Sequence, residues 1–236
     1  MTQVARNKSE PQVLAVVAHP DDESFGLGSV ILRLRHQSVP VSALVFTQGE
    51  ASTLGSTGNQ SELRARRCEE LACASQVLGL GRYDLHSHAD GHLAEVPLEE
   101  RVQKLEKAGP ADVVLAFDET GITGHQDHIA ATEAAKAFAI DHGVSLYLWT
   151  LPEKVANILN RRFETSFRGR PENEITFTLD VAQEREQQWQ AIRCHQSQSG
   201  GLSVVRARLE LLCGQEYLVE WCRGSQGLDP FCQQMT

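Results

Sequence analysis

The chain has 236 residues, 22% of them charged and 41% hydrophobic, with 31 acidic against 22 basic side chains and a formal charge of −9. That length suits one α/β domain with a single core, and the lack of a basic stripe argues against nucleic acid or an anionic membrane surface as partner. No apolar stretch approaches the roughly 20 residues of a membrane-spanning helix, and residues 1–11 lack the apolar centre of a signal peptide, so they read as a flexible tail before one domain over 12–236.

Residues 13–18 form a continuous apolar run, the pattern of a strand buried on both faces. Residues 27–35 read as a short helix and 41–46 as a second buried strand. The Gly-, Ser- and Thr-rich stretch 47–59 reads as a loop over the sheet edge. Residues 62–78 have helical character and stop before Gly79, although Ser61 with Arg64 lacks the acidic half of a capping box. A weak strand at 83–85, a helix at 98–107 ended by Gly109-Pro110, and a strand at 113–117 follow. An Ala-rich helix spans 128–139 and a strand 146–149. Strands alternating with helices imply an α/β fold, a mostly parallel sheet with helices on both faces. The last third is less regular: 174–179 alternates like a strand wet on one face, 181–194 reads as a helix, 196–201 as a polar loop and 206–213 as a last helix. The six cysteines, Cys68, Cys73, Cys194, Cys213, Cys222 and Cys232, form no Cys-x-x-Cys pair and read as reduced thiols of a cytoplasmic protein.

Two clusters carry the chemistry. His19-Pro20-Asp21-Asp22-Glu23 follows the first strand, and Gly124-His125-Gln126-Asp127-His128 follows the run Val113-Val114-Leu115-Ala116-Phe117. Pro20 has no backbone donor and a fixed φ, so the strand must stop there and the acidic pair sits on a turn that can aim neighbouring side chains at one point. Two carboxylates this close repel, which makes a cation a natural third party. His125 and His128, three apart at a helix start, share a face, with Asp127 pointing elsewhere. Two histidines and one carboxylate with an open position are the pattern of a catalytic zinc site, and strand C-terminal ends are where open parallel sheets build their sites. The residues alone do not decide which of Asp21 and Asp22 is ligand and which is base.

With these motifs the chain resembles the LmbE-like, or PIG-L-type, zinc-dependent N-deacetylases. The similarity extends through Thr47-Gln48-Gly49-Glu50, Arg67 with Glu70-Leu71, Asp90-Gly91-His92-Leu93 and His195-Gln196-Ser197-Gln198, with Gln215-Glu216-Tyr217 an echo of the family's end. The resemblance implies a Rossmann-like fold, bound zinc, and removal of the acetyl group from an N-acetylated amino sugar of the N-acetylglucosamine type. It makes His19, Asp22 and His128 the metal ligands and Asp21 the general base. His125 becomes the oxyanion stabiliser and a proton donor for the leaving amine, and Asp127 the residue that orients it. Arg67 and Asp90 are implied to contact the substrate. Two imidazoles and a carboxylate accept Fe(II) as well as zinc. The partner is a small amino-sugar conjugate; a homo-oligomer stays open.

Other readings compete. His19-x-Asp21 with a distant histidine also fits the facial triad of an Fe(II) oxygenase, a chemistry usually carried on an all-β fold. An amino-sugar sensor would not need Asp21 and His125. Another amide, such as a thiol conjugate or a longer acyl chain, depends on pocket size. Glu50 lies near the metal or caps a loop; His195 reaches the site or bonds locally. His86, His88 and His92 fit solvated loop histidines better than a second metal site, and Gly26-Leu27-Gly28 lacks the third glycine of a dinucleotide loop.

Overall fold

The run Val13–Val17 forms β1 and is buried along its whole length, as a strand covered on both faces must be. The computed structural model describes residues 11–55, 58–225 and 229–231. After β1 come a helical turn α1 (Asp22–Phe25), α2 (Gly28–His36), β2 (Val41–Thr47), α3 (Gln60–Leu78), β3 (Arg82–His88), α4 (Leu98–Ala108) and β4 (Val113–Phe117). A second turn α5 (Gly121–Gly124) leads to α6 (Gln126–His142), β5 (Ser145–Thr150), α7 (Glu153–Phe163), β6 (Phe177–Asp180), α8 (Arg185–Cys194), α9 (Leu202–Leu211) and β7 (Gln215–Cys222). The tail expected over 1–11 lies, apart from Pro11, outside the described residues.

The strands make one seven-stranded sheet in the order β3-β2-β1-β4-β5-β7-β6. The first five are parallel neighbours, and β7 runs antiparallel to both β5 and β6. Alternate side chains of β1 serve two cores. Val13, Ala15 and Val17 pack with Ile31 of α2 and Leu71 of α3, while Leu14 and Val16 pack with Leu105 of α4 and Phe138 of α6. This is the mostly parallel α/β sheet with helices on both faces. It leaves no place for the all-β fold of the oxygenase reading. From β1 the chain moves to β2 on one side and later returns to β4 on the other. The switch point therefore lies between the C-terminal ends of β1 and β4, where such sheets open a crevice. Both clusters leave from those two strands.

Helix α3 is capped by Asn59, whose side chain accepts from the N–H groups of Ser61 (3.1 Å) and Glu62 (3.3 Å). This supplies the start signal that Ser61 lacked. In the last third, α7 and β7 stand where no element was expected, and α9 starts at Leu202 rather than 206. Strand β7 is polar because Glu216, fully buried, accepts from Trp149 Nε1 (2.7 Å) and Arg185 Nη1 (2.6 Å).

The cysteine expectation is corrected. Packing of α3 on α8 brings Cys73 and Cys194 together as a disulfide, with Cα atoms 5.8 Å apart across a sequence separation of 121. Sequence spacing could not show such a pair, and it removes the thiol argument for a cytoplasmic setting. Cys68, Cys213 and Cys222 are free. Among the described residues no helix is long and apolar enough to cross a membrane.

Candidate active site

Pro20 stops β1, and Asp21 then takes φ 131° and ψ −28°. A non-glycine residue in such a conformation costs about 1–3 kcal/mol and persists only where its surroundings hold it. Here Glu23 Oε2 accepts from the Asp21 N–H (2.9 Å), and the Asp21 carbonyl accepts from the N–H groups of Ser24 (3.0 Å) and Phe25 (2.7 Å). The turn carries Asp22 back over its own strand, where Oδ2 accepts from the N–H groups of Ala18 (3.2 Å) and His19 (2.9 Å). After β4 the chain turns through positive φ at Gly121, Ile122 and Gly124. That turn delivers His125 to the N-cap of α6, and Thr132 Oγ1 ties the helix to the β4 end by donating to the Phe117 carbonyl (3.0 Å).

Three donor atoms converge between the two turns. His19 Nδ1 lies 3.2 Å from His128 Nε2 and 3.5 Å from Asp22 Oδ2, and His128 Nε2 lies 3.2 Å from Asp22 Oδ1. Ligands held tetrahedrally at zinc-like bond lengths of about 2.0–2.1 Å stand roughly 3.3 Å from one another. The donor set therefore fits a divalent cation in chemistry and in spacing. The far nitrogens support the same assignment. His128 Nδ1 donates to the Gly121 carbonyl (3.1 Å), and His19 Nε2 faces Asp90 Oδ1 (3.0 Å) and Asp127 Oδ2 (3.3 Å). The Gly121 carbonyl thereby holds His128 in the tautomer whose lone pair faces its neighbours, and the two carboxylates orient the His19 ring. Burial opposes charge on Asp22, but His128 and His19 outweigh it and hold the carboxyl well below its usual range. Burial also opposes charge on His19, yet Asp127, Asp22 and Asp90 raise it well above the ordinary imidazole value.

Asp21 stands beside this set and belongs to neither candidate metal cluster among the described residues. Burial raises its pKa to about 6 against the pull of the Arg67 guanidinium, which donates to Asp21 Oδ2 at 3.0 Å. Arg67 is only 3% exposed and also donates to the carbonyls of Gly49 (2.9 Å) and Pro20. Arg67 is thus a strut beneath the acidic turn as well as part of the cavity lining. A second buried pair lies behind it: His195 Nε2 is 2.8 Å from Glu23 Oε1, with both side chains fully buried. Glu23 and His195 are 172 residues apart in sequence, so only the fold shows that they jointly fix the Asp21 backbone. Glu23→Gln is expected to keep its metal and lower kcat by about 10–100-fold with KM little changed. Steady-state kinetics beside metal analysis would check this, and full activity in Glu23→Gln would deny the pair that role.

Asp127 departs from its expected role. Its carboxylate is fully buried and accepts from the N–H groups of Gly91 (2.7 Å) and Leu93 (3.0 Å) while facing His19. Only its backbone N–H meets His125, donating to Nδ1 at 3.2 Å. An N-cap imidazole takes that amide as its partner, and the Asp127 side chain projects off the other face of the helix. His125 is depressed by burial and by His19 and His128, so it is a neutral imidazole with the proton on Nε2. Asp90 reaches the cavity, but its carboxylate is engaged by His19 and by the Ala51 N–H (2.8 Å). Glu50 caps the same loop by accepting from the Asp90 N–H (3.3 Å). The His86 and His88 rings lie tilted to each other with centroids 6.3 Å apart, and they join neither candidate metal cluster.

An open α/β sheet thus carries at its switch point a candidate metal site of two histidines and an aspartate, with a buried carboxyl beside it. The sequence pattern described as PIG-L, GlcNAc-PI de-N-acetylase, matches residues 14–139. The chain belongs to that family. It is 30% identical over 227 residues to a probable N-acetyl-alpha-D-glucosaminyl L-malate deacetylase 2 of Bacillus anthracis, covering 91% of this chain and 92% of that one. Among solved structures, the N,N'-diacetylchitobiose deacetylase of Pyrococcus horikoshii superposes with TM-score 0.65 at 22% identity, covering 90% of this chain and 83% of that one. A 4-carboxy-2-hydroxymuconate hydratase of Pseudomonas putida superposes equally well, with TM-score 0.65 at 17% identity over 93% and 100% of the two chains. The fold alone therefore does not choose the reaction.

Proposed function

We propose that the protein is a zinc-dependent N-deacetylase that hydrolyses the acetamide of an N-acetylglucosamine conjugate. The observation that carries this reading is Asp21, a buried carboxyl with a pKa of about 6 standing next to the His19, Asp22 and His128 donors without joining them. A general base works best with a pKa near the working pH. His19, Asp22 and His128 would hold the ion, which when bound polarises the acetyl carbonyl and brings the pKa of water towards neutrality. Asp21 takes the proton from the attacking water as the new C–O bond forms. His125 donates its Nε2 proton in a hydrogen bond to the developing oxyanion, a contribution typically worth about 3 kcal/mol. A neutral His125 has no second proton to give, so the proton held by Asp21 passes to the departing nitrogen as the C–N bond breaks. Acetate and a free amine leave.

The test is amine release from N-acetylglucosaminyl malate, N-acetylglucosaminyl inositol and diacetylchitobiose by chelator-stripped protein before and after zinc is restored. Zinc-restored release supports the reading, and a fully loaded protein that releases amine from no N-acetylglucosamine conjugate or glycoside ends it. A pH profile gives a second check. Protonating Asp21 removes the base, so kcat/KM should fall as pH drops through about 6 or somewhat lower, since a neighbouring cation can only depress the carboxyl further. The Arg67 guanidinium lowers that pKa, so Arg67→Met should move the acid limb to higher pH. An unmoved limb would mean that a different group sets it.

A further inference from the structure

The cavity over the donor set has a volume of about 570 Å³, more than one sugar ring needs. The lining carries the titratable groups His19, Asp21, Asp22, Asp90, His125 and His128 and the apolar side chains Phe25, Leu54, Val204 and Val205, with Ser52, Thr53 and Gln198 among them. Leu54 is 39% exposed, one of the few large apolar side chains at the surface, and lies against Gly200 and Gly201. Val204 and Val205, adjacent on α9, are partly exposed. The part of these four side chains that faces the cavity is apolar area that a ligand would remove from water.

Charge narrows what that ligand can be. The lining holds three carboxylates and one cationic side chain, Arg67, which is buried against Asp21 and two carbonyls. Arg64 lies outside the lining, 3.5 Å from Glu50, and Arg168 packs across Gly124, also outside it. A carboxylate or phosphate on the substrate would meet, apart from a bound ion and the already paired Arg67, no lining Lys or Arg among the described residues and would have to be desolvated beside Asp21 and Asp90.

Resting on the deacetylase reading, we infer that the part of the substrate beyond the acetamido sugar is a neutral apolar group, aryl or alkyl, seated on Phe25, Leu54, Val204 and Val205. This would set the protein apart from its Bacillus anthracis relative, whose name specifies a malate conjugate.

The test compares kcat/KM for methyl, phenyl and carboxymethyl glycosides of N-acetylglucosamine, in both anomers, with the metal-loaded protein. The phenyl glycoside should exceed the methyl by about tenfold or more, mainly through KM, and the carboxymethyl should not exceed the methyl. The double variant Val204→Ser, Val205→Ser should bring the phenyl-to-methyl ratio towards one, and Val205→Lys should raise the carboxymethyl-to-methyl ratio. Both are ratios within one protein, so a loss of folded fraction does not disturb them. Turnover with a carboxymethyl preference, above all one lost in Arg168→Ala, overturns this inference and leaves the deacetylase reading standing. Turnover without a phenyl advantage does the same. No amine from any glycoside sinks both.

Discussion

Asp21→Asn is expected to bind one divalent ion per chain and to lose about 10²–10⁴-fold in kcat. Asparagine keeps the size of the side chain and one oxygen to accept from Arg67, and it tolerates unusual φ better than most residues. What it removes is the ability to take a proton. The donors of His19, Asp22 and His128 stand within 4.8 Å of one another without any help from Asp21, so the ion should stay. Metal analysis and steady-state kinetics on one preparation separate the two effects. If asparagine at 21 empties the site, Asp21 is a ligand and the division of labour within the acidic pair must be reversed. If it leaves kcat within a few fold, another group takes the proton.

The two clusters could be placed before the fold was known because their positions follow from strong signals. Val13–Val17 and Val113–Phe117 are unbroken apolar runs, as doubly covered strands need, and Pro20 forbids the first from running on. That β1 and β4 are neighbours is a property of topology, and no residue pattern states it. The same limit applies within the site. The residue type at 127 was legible, but its choice of His19, Gly91 and Leu93 over the His125 side chain depends on how α6 enters the sheet. Arg67 and Asp90 were legible as site residues and not as the protein-bonded groups they are. The apolar wall was invisible because its parts come from α1, the loop after β2 and α9, whose start was misplaced. Elements such as α7 and β7 bury half their residues or fewer, and their polar remainder hid the periodicity.

His128→Ala and Asp22→Ala are expected to weaken metal binding by more than about 10²-fold, beyond the effect usual for groups that merely orient a ligand. Each removes one of three donors, and the remaining two cannot define a site. Asp22→Ala does further damage, because Oδ2 accepts from two buried backbone N–H groups, and each left unpaired costs about 1–3 kcal/mol. Asp22→Asn separates the two effects: it retains an acceptor for those amides and loses the anionic donor. A ligand that binds only the folded state raises Tm with the logarithm of its concentration over Kd, so added zinc should raise Tm of the wild type and leave His128→Ala and Asp22→Asn where they were. The outcome has a specific alternative. His19, His125 and Asp127 also bring donor atoms within 4.8 Å of one another. Asp127 is a weaker offer because Gly91 and Leu93 already donate to both its oxygens. Stoichiometric zinc surviving in His128→Ala and lost in His125→Ala would move the ion to that second cluster, and His125 could then no longer serve as the oxyanion's donor.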